Sequence, residues 1–187
     1  MAYTNIDDPS AHFQAFTYTG TGTNNSITLD GNSDLQPDLY WYKTRSNSNY
    51  HYLADSSRGT TNYIYPNDSL AEGTGYTGYV QSFDTNGVTV GAGDSGTNTN
   101  GTTFANWVWK ANAGSTSSNT DGTITSTVQA NQDAGFSIVT YTGIGSGNAN
   151  PSVGHGLGVT PQVVLVKGRS QANSWAMYHY GIDGANS

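Results

Sequence analysis

The chain has 187 residues, enough for one domain of ordinary size or two small ones. It is 34% hydrophobic, 12% aromatic and 10% charged, with 24 glycines and no cysteine, which favours a polar, turn-rich β protein over a disordered chain and excludes a disulfide framework. The formal net charge of −7 argues against a nucleic-acid interface and against binding to anionic membrane surfaces, and no apolar run is long enough to predict a membrane span.

The chain reads as short strands separated by turns. Strands are predicted at 12–20, 26–34, 38–46, 103–111 and 162–170, with a hairpin at 79–91 and two more strands within 121–139. Only 69–74 favours a short helix. Turn signals recur about every ten residues, a spacing that predicts an all-β sandwich.

Two parts of the sequence resemble each other. TYTGTG at 17–22 recurs as TYTGIG at 140–145, and LQPDLYWYKTRS at 35–46 matches VTPQVVLVKGRS at 159–170. The match predicts a first repeat unit over 13–115, followed by a linker and the start of a second, incomplete unit over 116–187. The composition of the linker, at 112–122, is typical of a flexible segment. One interpretation is that the natural protein continues; the other is that the second half completes one sandwich with the first.

Four of the six basic residues recur within this repeat, as Lys43 and Arg45 and again as Lys167 and Arg169. Residues two apart on a strand face the same way, so each pair could form a cationic patch for an anionic glycan or a partner protein. The alternative is that they end a core strand, with their charges paired to nearby aspartates and their stems packed on aromatic rings.

An acidic turn at 30–34 is a weak candidate for calcium. Asp30, Asn32 and Asp34 stand at alternate positions and offer oxygen ligands. The stretch is not an EF-hand, because Leu35 and Trp41 stand where that loop has glycine and glutamate. The alternative is a hairpin turn rich in Asp and Asn.

Aromatic residues among Gly, Asn and Thr are the candidates for contacts with a glycan or a partner. They are Tyr50, Tyr52, Tyr63, Tyr65, Tyr76, Tyr79, Trp175 and Tyr178. Rings stack on sugars and equally serve protein interfaces. The remaining interpretation is a tyrosine-rich core whose hydroxyls reach the surface.

No catalytic motif stands out in the sequence. The histidines lack the HExxH spacing, no Gly-x-Ser-x-Gly elbow is present, and no pair of carboxylates suggests a glycosidase. The sequence therefore predicts no catalytic residue and no cofactor other than the weak calcium candidate.

Several stretches together resemble a family of marine and cyanobacterial bacteriophage virion proteins with duplicated LamG- or concanavalin-like β-sandwich modules. They are MAYTNIDDPSAHFQ, LQPDLYWYKTRS, SFDTNGVTVG, and GFSIVTYTG with VGHGLGVTPQVVLVKGRS. The resemblance implies a jelly-roll-like antiparallel sandwich in a non-enzymatic, tail-fibre-like appendage of the virion, attached through an arm at 1–12. The implied partners are other copies in a homo-oligomer such as a trimer, other virion proteins and a host surface glycan. A capsid decoration protein and a carbohydrate-binding module remain alternatives.

Overall fold

The computed structural model describes residues 6–92, 96–145 and 150–183. Within these ranges the chain forms a 3-10 turn at Pro9–Ala11 and a four-residue helix α1 at Tyr180–Asp183. The strands are β1 (Phe13–Thr19), β2 (Asn25–Thr28), β3 (Leu39–Thr44), β4 (Tyr52–Asp55), β5 (Val80–Asp84), β6 (Gly87–Val90), β7 (Thr103–Trp109), β8 (Ser117–Asn119), β9 (Ser126–Asn131), β10 (Phe136–Tyr141), β11 (Val163–Val166) and β12 (Ala176–His179).

Two antiparallel sheets form a sandwich in the first part of the chain. One sheet has the strand order β1-β7-β3-β4 and the other has the order β2-β6-β5. Their inner faces share one hydrophobic core, to which the first sheet contributes Tyr40, Tyr42 and Val108 and the second contributes Val88 and Val90. The predicted all-β fold is therefore confirmed.

Alternation along each strand decides which side chains enter this core. In β7 the side chains of Phe104, Asn106 and Val108 are buried, whereas Trp107 and Trp109, at the alternate positions, are only half-buried. Successive side chains of a strand point to opposite faces, so β7 supplies both the core and the outer face of its sheet.

The rest of the chain adds two further antiparallel sheets, ordered β10-β9-β8 and β11-β12. The predicted hairpin at 79–91 forms as β5 and β6, with Asp84 paired to Gly87 around a two-residue turn. The helix predicted near 69–74 is wrong, because Gly73 there forms a β-bridge with Tyr63. Residues 1–5 of the predicted arm lie outside the described residues, and Asp8 caps the 3-10 turn that follows them.

The β11–β12 hairpin has the same geometry as the β3–β4 hairpin. Leu39 pairs with Asp55 in the first and Val163 pairs with His179 in the second, so both partners are displaced by 124 residues. Outside the strands, the Ser56 amide donates to the Asp38 carbonyl at 2.9 Å, and 124 residues later the Tyr180 amide donates to the Gln162 carbonyl at 2.8 Å. The internal repeat stays a prediction, and this shared geometry supports it.

The two TYTG segments have different surroundings. The Gly20 amide donates to the Thr102 carbonyl at 2.8 Å, and a Cβ added at Gly20 would lie 2.2 Å from the Thr99 carbonyl oxygen. A Cβ added at Gly143 would have no atom within 4 Å. The first segment is thus packed under a loop, and the second is open.

Candidate binding surfaces

The tyrosines predicted as surface contacts form a packed cluster. Neighbouring ring centroids within it are 5.0 to 5.7 Å apart, mostly in the edge-to-face or tilted arrangements that aromatic pairs prefer. The cluster consists of Tyr50, Tyr52, Tyr63, Tyr65, Tyr76 and Tyr79.

Burial divides this cluster into core and surface. Tyr52, Tyr63 and Tyr79 are buried, and burial raises the pKa of the Tyr63 hydroxyl. Their prediction as surface contacts is wrong, because the sandwich core covers these rings. Tyr50 and Tyr76 are exposed at the margin of the cluster and can still meet a partner.

The other two aromatic candidates lie in the β11–β12 region. The Trp175 indole donates to the Tyr65 carbonyl at 2.8 Å, and its ring is half-buried, so it joins the second hairpin to the first sandwich. Tyr178 is exposed on β12.

The two repeated lysines bond to backbone carbonyls near the ends of their own strands, and Lys167 also donates to the Ser69 carbonyl at 3.3 Å. The Lys43 ammonium donates to the carbonyls of Thr44 and Asn47, the latter at 3.0 Å. The Lys167 ammonium donates to the carbonyl of Gly168 at 2.8 Å. Both lysines therefore contribute to strand termination, and a ligand role for them stays a prediction.

The two repeated arginines have different environments. Arg45 is exposed, whereas the Arg169 guanidinium binds the Glu72 carboxylate, with Nη2 2.8 Å from Oε2. Glu72 also binds the buried Arg58, which in turn binds Asp55 with Nε 2.5 Å from Oδ2. Arg169 thus extends a buried ion network, and the sequence carries no signal for its contact with Glu72 because the two residues are 97 positions apart.

Glu72, the only glutamate, is held in its ionised form. Burial alone would raise the pKa of its carboxyl group, but hydrogen bonds from Arg169 and Arg58 outweigh burial and hold the pKa below its ordinary value. A general acid needs a raised pKa, so this carboxylate is poorly suited to that role.

The acidic turn at 30–34 leaves Asp30, Asn32 and Asp34 exposed. Its backbone is tied to β1, since the Gly31 amide donates to the side-chain oxygen of Gln14 at 3.1 Å. Across the described ranges, no group of three or more His, Asp or Glu side chains is placed to hold a metal ion. The calcium candidate stays a prediction.

A buried carboxylate fixes the chain where β7 ends. Asp38 is fully buried and accepts hydrogen bonds from the amides of Ala111, Ala113 and Gly114 at 2.7 to 2.9 Å, and from the Ser56 hydroxyl at 2.7 Å. Ala113 has φ of 50°, a left-handed conformation that is unfavourable for alanine and that these bonds hold in place.

The amide of Gln129 completes the same network from β9. Its oxygen accepts from the amides of Asn112 at 3.1 Å and Gly114 at 2.9 Å, and its nitrogen donates to the hydroxyls of Ser56 and Ser57. The linker predicted at 112–122 is therefore anchored at its start, and it contains β8.

The outer face of the β1-β7-β3-β4 sheet carries a row of large aromatic side chains, which we call the tryptophan face. Trp41 and Trp107 are register partners with ring centroids 5.9 Å apart, and Trp109 lies 4.9 Å from the ring of Phe13. Phe136 of β10 stacks on Trp109 at 6.3 Å. The tryptophan face consists of Phe13, Trp41, Trp107, Trp109 and Phe136.

A shallow apolar cavity of about 130 Å³ lies on the tryptophan face, lined by Trp41, Trp107 and Trp109. The Trp41 indole donates to Nδ1 of His51 at 3.2 Å, which fixes the ring plane. Desolvation and then the charge of Lys43 lower the pKa of His51, so its imidazole stays neutral and able to accept at neutral pH.

A polar cavity of about 460 Å³ opens where β7 ends. The polar residues that line it are His12, Lys110, Asn112, Asn131, Gln132 and Asp133. It adjoins the tryptophan face, because Lys110 follows Trp109 and Asn131 is the register partner of Phe136. Apolar rings thus lie beside amide, imidazole and charged groups.

This combination suits a ligand with apolar faces and hydroxyl edges. Rings can stack on the faces of a sugar while neighbouring amides bond its hydroxyl groups. A strand was predicted at 103–111, and β7 forms there and enters the core through its alternate residues. The signal for the outer face was the two-residue spacing of Trp107 and Trp109.

No helix in the described part of the chain has the length and apolar character needed to cross a membrane.

Comparison with known proteins identifies the family. Residues 8–187 match the family described as domain of unknown function DUF7483, and the chain belongs to that family. No curated protein matches the chain. No solved structure matches it either.

Proposed function

We propose that this chain is a non-enzymatic recognition module of a bacteriophage virion, carried on a tail-fibre-like appendage, that binds a neutral glycan of the host surface. The observation that carries the proposal is the tryptophan face with the polar cavity beside it. The sequence resemblance to virion proteins supplies the biological setting.

The chemistry of the tryptophan face favours a neutral sugar over other ligands. Trp41, Trp107 and Trp109 line a cavity without charged side chains. The formal charge of −7 disfavours a polyanionic ligand. A neutral sugar ring carries no charge and suits both surfaces, since its C–H face packs on the indole rings and its hydroxyls reach the polar groups of the neighbouring cavity.

The non-enzymatic part of the proposal has support from the ion network. The charge of the Glu72 carboxylate is paired with Arg58 and Arg169, so this group stabilises the contact between the β11–β12 hairpin and the first sandwich. Asp38 is occupied by four hydrogen bonds that hold the end of β7.

Binding tests the glycan part of the proposal. The purified chain is screened against neutral and acidic bacterial surface polysaccharides, and calorimetry gives the affinity of each hit. Trp107→Ala should weaken binding about tenfold or more, because a stacked aromatic anchor contributes at least that factor. Tyr141→Ala removes an exposed ring outside the tryptophan face and is the control.

The proposal fails if no neutral polysaccharide binds, or if Trp107→Ala binds as well as the parent chain while keeping its melting temperature. Gold-labelled antibody on intact particles tests the setting separately. Label at the tail supports an appendage protein, whereas label over the head indicates that the chain is a capsid component.

A capsid decoration protein is the second candidate. It is favoured by the exposed apolar residues of β11 and β12, which suit assembly against another protein. Label over the head together with an absence of glycan binding would establish it in place of the first.

A further inference from the structure

The tryptophan face crosses three neighbouring strands of one sheet and continues onto another sheet. Its members stand on β1 (Phe13), on β7 (Trp107 and Trp109) and on β3 (Trp41). Phe136 extends it onto β10, a strand of the β10-β9-β8 sheet. The rings therefore lie side by side across the surface of the molecule.

The tryptophan face is too long for one sugar ring to cover. The ring centroids of Trp41 and Trp107 are 5.9 Å apart, and those of Trp109 and Phe136 are 6.3 Å apart. Trp107 and Trp109 stand two residues apart on one strand, a backbone separation of about 7 Å. Apolar contact needs heavy atoms within about 4.5 Å, so one sugar ring contacts one or two of these side chains. A ligand that uses the whole face needs several sugar units.

The shape of the face is that of an open surface. The apolar cavity has a volume of about 130 Å³, well below the roughly 300 Å³ at which pockets begin to enclose a small ligand. The register partner of Trp107 on β1 is Ala15, whose short side chain is exposed. Thr17 follows on the same face of β1 and is also exposed. Small side chains thus border the face beside Trp107 and leave room for a chain to pass.

Polar groups lie at both ends of the face. At the Trp41 end, Nδ1 of His51 accepts from the indole at 3.2 Å, so the neutral imidazole carries its proton on Nε2 and can donate it to a hydroxyl. At the Phe136 end lies the polar cavity, of about 460 Å³, which is lined in part by Asn131 and Gln132. Apolar rings in the middle and hydrogen-bonding groups at both ends suit a ligand that is itself a chain of sugars.

We infer that the tryptophan face binds an internal segment of an extended neutral polysaccharide, at least three consecutive sugar units long, and does not recognise a chain end. The inference rests on the glycan-binding function proposed above. Successive units stack on Trp41, Trp107 and Trp109, and the segment continues into the polar cavity. A repeating polysaccharide offers many equivalent internal segments, so several copies of the protein can bind to one chain.

The length of the bound segment is measured on the chain without substitutions. The probes are oligosaccharides of one to eight units obtained by partial hydrolysis of dextran, mannan and galactan, together with those of the neutral polysaccharide that binds best in the screen. Calorimetry gives the affinity for each length. We expect the affinity to rise about tenfold or more between one unit and four and then to level off, because each further unit adds an apolar contact until the face is filled.

Blocking the ends of the oligosaccharide distinguishes internal from terminal recognition. The six-unit oligosaccharide of highest affinity is methylated at both ends and compared with the unblocked form. We expect equal affinities, since an internal segment presents the same rings and hydroxyls in both. A site that recognises a chain end would lose the blocked oligosaccharide.

Substitutions at one end of the face test its extent. Trp41→Ala should weaken binding of the six-unit oligosaccharide about tenfold and leave that of the two-unit one within about twofold, because the shorter ligand still reaches Trp107 and Trp109. Trp41→Phe keeps a ring and should retain most of the affinity for six units. Tyr180→Ala removes a ring that is 56% exposed and lies outside the face, and it should change neither affinity. The length series needs no variant, so it decides the matter if Trp41→Ala does not fold.

The outcomes distinguish a failure of the inference from a failure of the proposed function. An affinity that is the same for one unit and for six, or that is lost when the ends are methylated, overturns the inference and leaves the glycan-binding function standing. A folded Trp41→Ala chain that binds two and six units with equally reduced affinity also overturns it. If neither the intact polysaccharides nor any oligosaccharide binds, the proposed function is wrong and the inference is wrong with it.

Discussion

At the scale of single residues, Asp38 is the side chain on which most neighbouring structure depends. It is fully buried, and its two oxygens accept four hydrogen bonds from the end of β7, the turn that follows and Ser56. Hydrogen bonds to a buried carboxylate are stronger than those between neutral groups.

Asp38→Ala should lower the free energy of unfolding by about 2 kcal/mol, because it leaves the buried amide of Ala111 without its acceptor and releases the left-handed Ala113. Urea denaturation measures the change. Asp121→Ala removes an exposed aspartate and should have an effect near zero. A loss for Asp38→Ala as small as that of the control would show that water replaces the carboxylate.

The role of Asp38 could not be predicted from sequence. Its partners Ala111 and Gly114 stand 73 and 76 residues further along the chain, and local spacing carries no signal for such contacts. The same holds for Glu72, which meets Arg169 across 97 residues. Periodicity predicts the face on which a side chain lies and says nothing of its distant partners.

At the scale of elements, period-two alternation predicted most strands, and turn residues predicted their ends. The strands at 12–20, 38–46 and 103–111 form as β1, β3 and β7. β8 was missed because Ser117–Asn119 has the composition of a linker. The sequence left open whether Tyr52, Tyr63 and Tyr79 lie on the surface or in a tyrosine-rich core, because tyrosine suits both, and the structure places these three in the core.

The two TYTG segments give a matched comparison. Gly20→Ala should destabilise the chain by about 2 kcal/mol or more, because the new Cβ would collide with the Thr99 carbonyl and displace the loop above it. Gly143→Ala places its Cβ in open space and should be close to neutral. Thermal unfolding of both variants measures the difference, and equal melting temperatures would contradict it.

At the scale of the whole molecule, a few polar contacts join the β11–β12 hairpin to the first sandwich. Arg169 binds Glu72, the Trp175 indole binds the Tyr65 carbonyl, and the Glu72 amide donates to the Arg169 carbonyl at 2.9 Å. A junction that depends on an ion pair responds to pH.

Acid should loosen this junction. The folded pKa of Glu72 is below its ordinary value of 4.5, so its stabilisation is complete above that pH and is lost as the pH falls through the folded pKa. Hydrogen-exchange protection at 163–179 should fall over that interval. Glu72→Gln should reduce this exchange protection at neutral pH and make the protection independent of acid. If the variant still loses protection in acid as the parent chain does, another carboxylate causes the loss.

The separation of ring types in the fold has a consequence for spectroscopy. All four tryptophans are only half-buried, three on the outer face of one sheet and Trp175 at the junction, while the sandwich core contains packed tyrosines. Selectively excited tryptophan emission therefore reports on the binding face and the junction, and the near-ultraviolet circular dichroism of the stacked tyrosines reports on the core. One unlabelled sample can thus distinguish a ligand that settles on the surface from a change that opens the interior.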